Sequence, residues 1–190
     1  TPPALRSLIE SPDFNVQGFL CPGHVAAITG ADAFSFLPKD YRLPGVVSGF
    51  EPADLLYSIL ELVRMIAGRQ PELKNEYTRL VKPSGNPAAL KMINTVFKSA
   101  PAQWRGLGYI ENSGYALKDT YAPWDAWRKF SLTPPPEKPI PGCRCAQVIR
   151  GTTGPKECPL FGKVCTPSNP VGPCMVSGEG ACAAAFQYER

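Results

Sequence analysis

Six of the seven cysteines in this 190-residue chain, Cys143, Cys145, Cys158, Cys165, Cys174 and Cys182, fall within forty residues of one another, interspersed with Pro155, Pro159, Pro167, Pro170 and Pro173. Proline lacks a backbone N–H and fixes φ, so this span has little room for helix or central strand. A segment that builds neither regular structure nor a sizeable apolar core is held together by cross-links or a metal. Disulfide frameworks ordinarily use an even number of cysteines in a secreted chain. The odd count here reads instead as reduced, metal-binding cysteines in a cytosolic protein.

Any four of these thiolates could surround a tetrahedral ion or an iron–sulfur cube. Structural zinc sites take their ligands in close pairs, about two to four residues apart, and no repeated pair of that kind occurs here. Wider spacing favours a [4Fe-4S] cluster. Arg144, Arg150, Lys156 and Lys163 stand among the cysteines to offset the negative charge of cluster thiolates. A zinc-stabilised interaction module is the alternative.

Upstream, a chain that is 44% hydrophobic and 19% charged can bury a real core. Alternating strand and helix signals over residues 1–130 predict an α/β domain, layered, with a mostly parallel sheet and flanking helices. A helix is expected over 3–10, a strand over 17–21 that stops at Pro22-Gly23, and a second strand at Val46 and Val47 that breaks at Gly49. The clearest helix starts at Pro52, a residue suited to a first turn. Its broad apolar face, Leu55, Leu56, Ile59, Leu60, Leu62, Val63 and Ile66, is expected to pack on the sheet. Further expectations are a strand over 76–81, a helix over 87–99 with Leu90, Ile93, Val96 and Phe97 inward, and a strand over 104–110. The 22 prolines are more than twice the usual share of about 5%, and the run Ser-Leu-Thr-Pro-Pro-Pro-Glu-Lys-Pro-Ile-Pro marks a stiff linker over 131–142. The expected organisation is therefore an α/β domain (1–130), this linker, and a small irregular cysteine-rich domain (143–190).

The formal charge of +4 has no basic run, so nucleic acid is not implied. The best apolar stretch, 55–66, is interrupted by Glu61 and Arg64 and is too short to span a bilayer, so no membrane role is expected.

Cys21-Pro22-Gly23-His24 forms the second feature of interest. Pro-Gly in the middle of four residues favours a type II turn, which would bring Cys21 near His24, the only histidine. The segment follows a strand, where open α/β sheets place ligand crevices. Glu51, in Gly-Phe-Glu-Pro at 49–52, has the same setting and could face the same crevice. The competing reading makes Cys21 a small buried hydrophobe, His24 a helix-start residue and Glu51 a solvent-facing carboxylate.

At this point the residues carry a resemblance. Cys-Pro-Leu-Phe-Gly-Lys-Val-Cys-Thr-Pro at 158–167, Pro-Val-Gly-Pro-Cys-Met-Val-Ser-Gly-Glu-Gly-Ala-Cys at 170–182, Gly-Phe-Leu-Cys-Pro-Gly-His-Val at 18–25 and Trp-Arg-Gly-Leu-Gly at 104–108 resemble the HypD family of [NiFe]-hydrogenase maturation proteins. The resemblance implies that the chain corresponds to the C-terminal half of a protein about twice as long. It also implies a [4Fe-4S] cluster on four cysteines separated by gaps of fourteen, six and sixteen residues, which Cys143, Cys158, Cys165 and Cys182 match. Cys145 is an alternative first ligand, and Cys174 is left as a spare thiol. The Cys-Pro-Gly-His segment would line the cleft where the Fe(CN)2CO unit is assembled, giving His24, Cys21 and Glu51 catalytic roles. Glu179 would stand near that cleft or the cluster. Tyr77, Arg79, Lys82 and Asn86 also match a family stretch, with Arg79 packing or binding an anion. The implied partners are a HypC-type chaperone that shares the iron and a HypE-type cyanide donor. The cluster would relay electrons to a cysteine pair outside this chain. The competing activity is a cluster-dependent thiol/disulfide reductase with Cys21 or Cys174 facing substrate.

Overall fold

The computed structural model describes residues 1–104, 107–133 and 140–189. The chain is a mixed α/β protein with a cysteine-rich C-terminal region, and it groups into two compact units. One contains Val16–Lys98, and the other joins Pro3–Asn15 to Ser99–Arg190. The expected linker runs through 134–139, which lie outside the described residues.

In the first unit, β1 (Phe19–Pro22), β2 (Gly45–Ser48) and β3 (Leu73–Asn75) form a parallel sheet in that order. Leu20 stands opposite Val46 and Cys21 opposite Val47, while Val46 stands opposite Lys74. The central strand is buried along its whole length, as its uninterrupted apolar pair demands in a parallel sheet. Helices α2 (Gly23–Thr29) and α3 (Phe36–Tyr41) make the β1–β2 crossover, and α4 (Pro52–Gly68) makes the β2–β3 crossover. Phe34, Leu37, Val46 and Val47 are the fully buried side chains at the centre. α5 (Pro87–Val96) completes the unit, and the Asn86 side chain caps it by accepting from the amides of Ala88 and Ala89.

Three expectations change here. The strand expected over 76–81 is instead the earlier β3, because the Asn75 side chain turns the chain at once. It accepts from the Tyr77 amide at 3.1 Å and donates to the Val81 carbonyl at 2.9 Å. α5 buries no side chain fully, and Phe97 already belongs to the next strand. α4 starts at Pro52 as expected, yet the residues it buries are Ser58, Glu61 and Met65, while Leu56, Ile59, Leu60 and Val63 remain exposed. Ser58 donates to Ser48 of β2 at 2.9 Å. Glu61 is ion-paired with Lys74 of β3 and with Arg64, so polar bonds fix the helix on the sheet beside the buried Met65.

In the second unit, α1 (Pro2–Ile9) starts on proline as expected. The strand expected over 104–110 is replaced by a paired two-stranded sheet, β4 (Phe97–Trp104) and β5 (Gly108–Leu117). The short α6 (Ala126–Lys129) is capped by Asp125. The cysteine-rich segment holds α7 (Cys145–Arg150) and α8 (Ala181–Tyr188), joined by turns. Asp13 pairs with Arg150 at 2.9 Å, and the Asn15 amide donates to the Arg150 carbonyl, tying the end of the α1 segment to α7. No helix among the described residues is long and apolar enough to cross a membrane.

Candidate functional site

The core of the cysteine-rich segment is built largely from sulfur. Cys145, Cys165, Cys174, Met175, Cys182 and Ala183 are buried together, with Cys143, Leu160 and Phe161 packed against them. Cys158 and Cys165 are brought together by the tight fold of Cys-Pro-Leu-Phe-Gly-Lys-Val-Cys. The amides of Phe161 and Cys165 donate to the carbonyls of Cys158 and Leu160, and Gly162 takes a φ of 68° to close the turn. Cys182 sits in the first turn of α8, behind Gly180. A Cβ at Gly180 would lie 2.1 Å from the Cys174 carbonyl oxygen, so only glycine lets α8 approach so closely. Gly172 is equally constrained, since a Cβ there would lie 2.6 Å from the Cys143 sulfur.

Cys145 and Cys174 form a disulfide, with Cα atoms 6.1 Å apart. Cys174 is therefore not the spare thiol the sequence suggests, and Cys145 is not a free one. The free thiols of the segment are Cys143, Cys158, Cys165 and Cys182, and all four line one cavity together with the disulfide, Leu160, Phe161, Gly172 and Met175. Burial, and then the neighbouring Cys158, Cys165 and Cys143, push the Cys182 thiol up to about 11. Four thiols on one cavity make a soft donor set, of the kind that suits a thiophilic metal centre. The Val171 amide donates to the Cys165 sulfur at 3.4 Å. Among the described residues no group of three or more His, Cys, Asp or Glu is arranged to hold a single metal ion. The basic residues expected to offset thiolate charge do not line the cavity. Arg150 pairs with Asp13, Lys156 with Glu189, and Arg144 donates to the Glu157 carbonyl. Glu179 is exposed on the loop before α8.

The disulfide closes a loop of 29 residues, which on a chain-entropy basis corresponds to about 3.5 kcal/mol of stabilisation. Replacing Cys145 and Cys174 together by alanine is expected to lower the unfolding free energy of the metal-free chain by about that amount in a urea titration. Reductant should destabilise the parent chain similarly and leave the variant unmoved.

At the C-terminal edge of the parallel sheet the structure assembles a different set from the one expected. Gly23 is the first residue of α2 and is absent from the positive-φ glycines, so Cys-Pro-Gly-His is a strand-to-helix junction and not a type II turn. Gly23 is required for close approach, since a Cβ there would lie 2.3 Å from the Ser48 carbonyl oxygen and 2.6 Å from the Tyr77 ring. Cys21 is 2% exposed, and its sulfur sits in the space over Gly45 that Leu37 and Leu73 also fill. Desolvation pushes its thiol up to about 12, as in a core residue. His24 is exposed and stacks at 5.3 Å on Phe50.

Arg79 is the organiser that sequence reasoning left undecided. Its guanidinium grips the Asp54 carboxylate in a fork, at 2.8 and 2.6 Å, lies 4.5 Å over the Tyr77 ring and reaches Glu51 at 3.4 Å. Hydrogen bonding from Arg79 holds the Asp54 carboxyl below its ordinary range. Because the folded value is depressed, the stability this pair contributes is present above the unfolded carboxylate pKa and is lost as pH falls through the folded one. Arg79→Gln is expected to be less stable than the parent at neutral pH and equal to it in strong acid. A deficit that persisted in acid would instead assign Arg79 to packing on Tyr77.

The sequence matches known proteins along essentially its whole length. Residues 1–189 match the HypD family model, described as "Hydrogenase formation hypA family". The chain belongs to the HypD family. It is 43% identical over 189 residues to the hydrogenase maturation factor HypD of Escherichia coli (strain K12), covering 99% of this chain and 51% of that protein. It is 40% identical over 197 residues to HypD of Rhizobium leguminosarum bv. viciae, covering 100% and 51%, and 38% identical over 196 residues to HypD of Azotobacter vinelandii, covering 100% and 52%. The chain thus spans about half the length of the HypD relatives it matches.

Proposed function

We propose that this HypD-family chain carries a [4Fe-4S] cluster on Cys143, Cys158, Cys165 and Cys182, and that it forms part of a cytoplasmic scaffold for [NiFe]-hydrogenase maturation. The observation that carries the reading is the division of labour among six cysteines: two are tied in a disulfide and the remaining four are free thiols lining the same cavity. An all-thiol donor set with apolar walls suits an iron–sulfur cluster or zinc. The four free thiols on one cavity match the all-cysteine ligation of a [4Fe-4S] cluster. Bound there, the cluster would supply one-electron chemistry. The chain's own contribution is to gather four free thiols on one cavity, to exclude water with Leu160, Phe161 and Met175, and to hold the Cys165 sulfur in place through the Val171 amide.

The cargo of the full-length scaffold is the Fe(CN)2CO unit, assembled with a HypC-type chaperone that shares the iron and a HypE-type donor that delivers the cyanide. On this chain the sheet edge with exposed His24 and Glu51 is the region offered to it. Arg79 holds Glu51 and Asp54 in place, and Glu179 stands on the loop before α8. Cys21, enclosed in the core, takes no part.

The test is iron, zinc and acid-labile sulfide content with a visible spectrum on anaerobically prepared protein. About four iron and four sulfide per chain, with broad absorption that bleaches on reduction, support the proposal. One zinc with no sulfide and no colour would leave a zinc-stabilised interaction module. The disulfide lining the same cavity favours one second reading, a thiol/disulfide reductase. An external dithiol would reduce Cys145–Cys174 to two thiols and leave as its own disulfide, and the two thiols would then reduce a substrate disulfide to two thiols while the Cys145–Cys174 bond re-forms. Turnover of a small disulfide that is lost in Cys174→Ser would establish it.

A further inference from the structure

α4 is mounted with its polar side on the sheet and its apolar side outward. Leu56 is 70% exposed, Val63 55%, Ile59 45% and Leu60 43%. Their spacing of three, one and three residues places them along a single stripe of the helix. The inward positions are held by specific bonds, Ser58 to Ser48 and Glu61 to Lys74, so the helix cannot rotate to bury the stripe without breaking them. A contiguous apolar surface of this kind is the mark of an interface. At its C-terminal end the stripe runs through Ile66 into an open cavity of about 580 Å³ that is also lined by Arg42 and Arg69. Neither guanidinium has an ion-pair partner among the described residues, and both arginines hold a left-handed backbone, with φ of 54° and 52°, where α3 and α4 end.

The partner is indicated by length. HypD relatives about 40% identical to this chain align with all of it and carry roughly as much polypeptide again. We infer that the outward stripe of α4 is the seat of an apolar surface contributed by the remaining half of the full-length HypD polypeptide, with a carboxylate of that half entering the Arg42–Arg69 end. The inference rests on family membership and is independent of any metal. Failure of its test therefore leaves the cluster reading standing, and the reverse also holds.

The experiment compares two metal-free proteins, this chain and full-length HypD of Escherichia coli, by hydroxyl-radical footprinting, with sedimentation to fix the oligomeric state. The stripe should be labelled about tenfold more slowly on the aligned helix of the full-length protein than on α4 of this chain, which should sediment as a monomer. As a second readout, Leu56→Asp, Arg42→Glu and Arg69→Glu should leave the Tm of this chain nearly unchanged. The same residues placed at the aligned positions of the full-length protein should lower its Tm by several degrees. Equal labelling and equal tolerance in the two proteins would overturn the inference. So would a stable dimer of this chain that shields the stripe, which would assign the surface to a second copy.

Discussion

Cys165→Ala is expected to take the anaerobically reconstituted chain from about four iron and four sulfide per molecule to almost none. Its sulfur is buried in the cavity core and accepts a hydrogen bond from the Val171 amide, so its loss removes both a donor and the hydrogen bond that fixes that donor's position. Cys158→Ala should behave the same way. The pair of variants at the start of the segment is more discriminating. Cys143→Ala should lose the iron, whereas Cys145→Ala should keep it, since Cys145 is engaged with Cys174. Retention of iron in Cys165→Ala, or its loss in Cys145→Ala alone, would mean that a different set of four cysteines binds.

Gly23→Ala should be strongly damaging to the Val16–Lys98 unit. The new methyl group would meet the carbonyl oxygen of Ser48, which is backbone of the central strand and has nowhere to go. Relief requires β1 and β2 to part at the register Pro22 shares with Ser48. Overpacking against a fixed backbone costs about 3 kcal/mol or more. Urea unfolding should show a loss of that size, and His24 should shift relative to Phe50 in NMR spectra. A nearly neutral Gly23→Ala would mean that the strand-to-helix junction is looser than the structure indicates.

These two substitutions also show what could be read in advance. Features with a local cause were legible. Proline at the first helical turn placed the starts of α1, α4 and α5 within a residue or so. The Val46-Val47 pair announced the buried strand, and the resemblance to the family pointed to four cysteines that are free thiols in the structure, with Cys145 left open as an alternative to Cys143. Features with a distant cause were not legible. Whether Gly23 serves a turn or a close approach depends on Ser48 and Tyr77, which are remote in sequence. Nothing local to Asn75 announced that its side chain would end β3 and displace the expected strand.

Sequence alone therefore carried the alternation of strands and helices, the proline-rich boundary signal, the cysteine pattern and the resemblance to the HypD family, because each depends on residue type at short range. Tertiary structure settled three further matters. It paired Cys145 with Cys174, it buried Cys21 while leaving His24 exposed, and it turned the polar side of α4 toward the sheet. Each depends on which distant atoms share a space. A thiol becomes a disulfide, a core residue or a free donor according to its neighbours. A helix faces inward with the side that satisfies the buried Ser48 and the Lys74 ammonium, even when the other side is the more apolar.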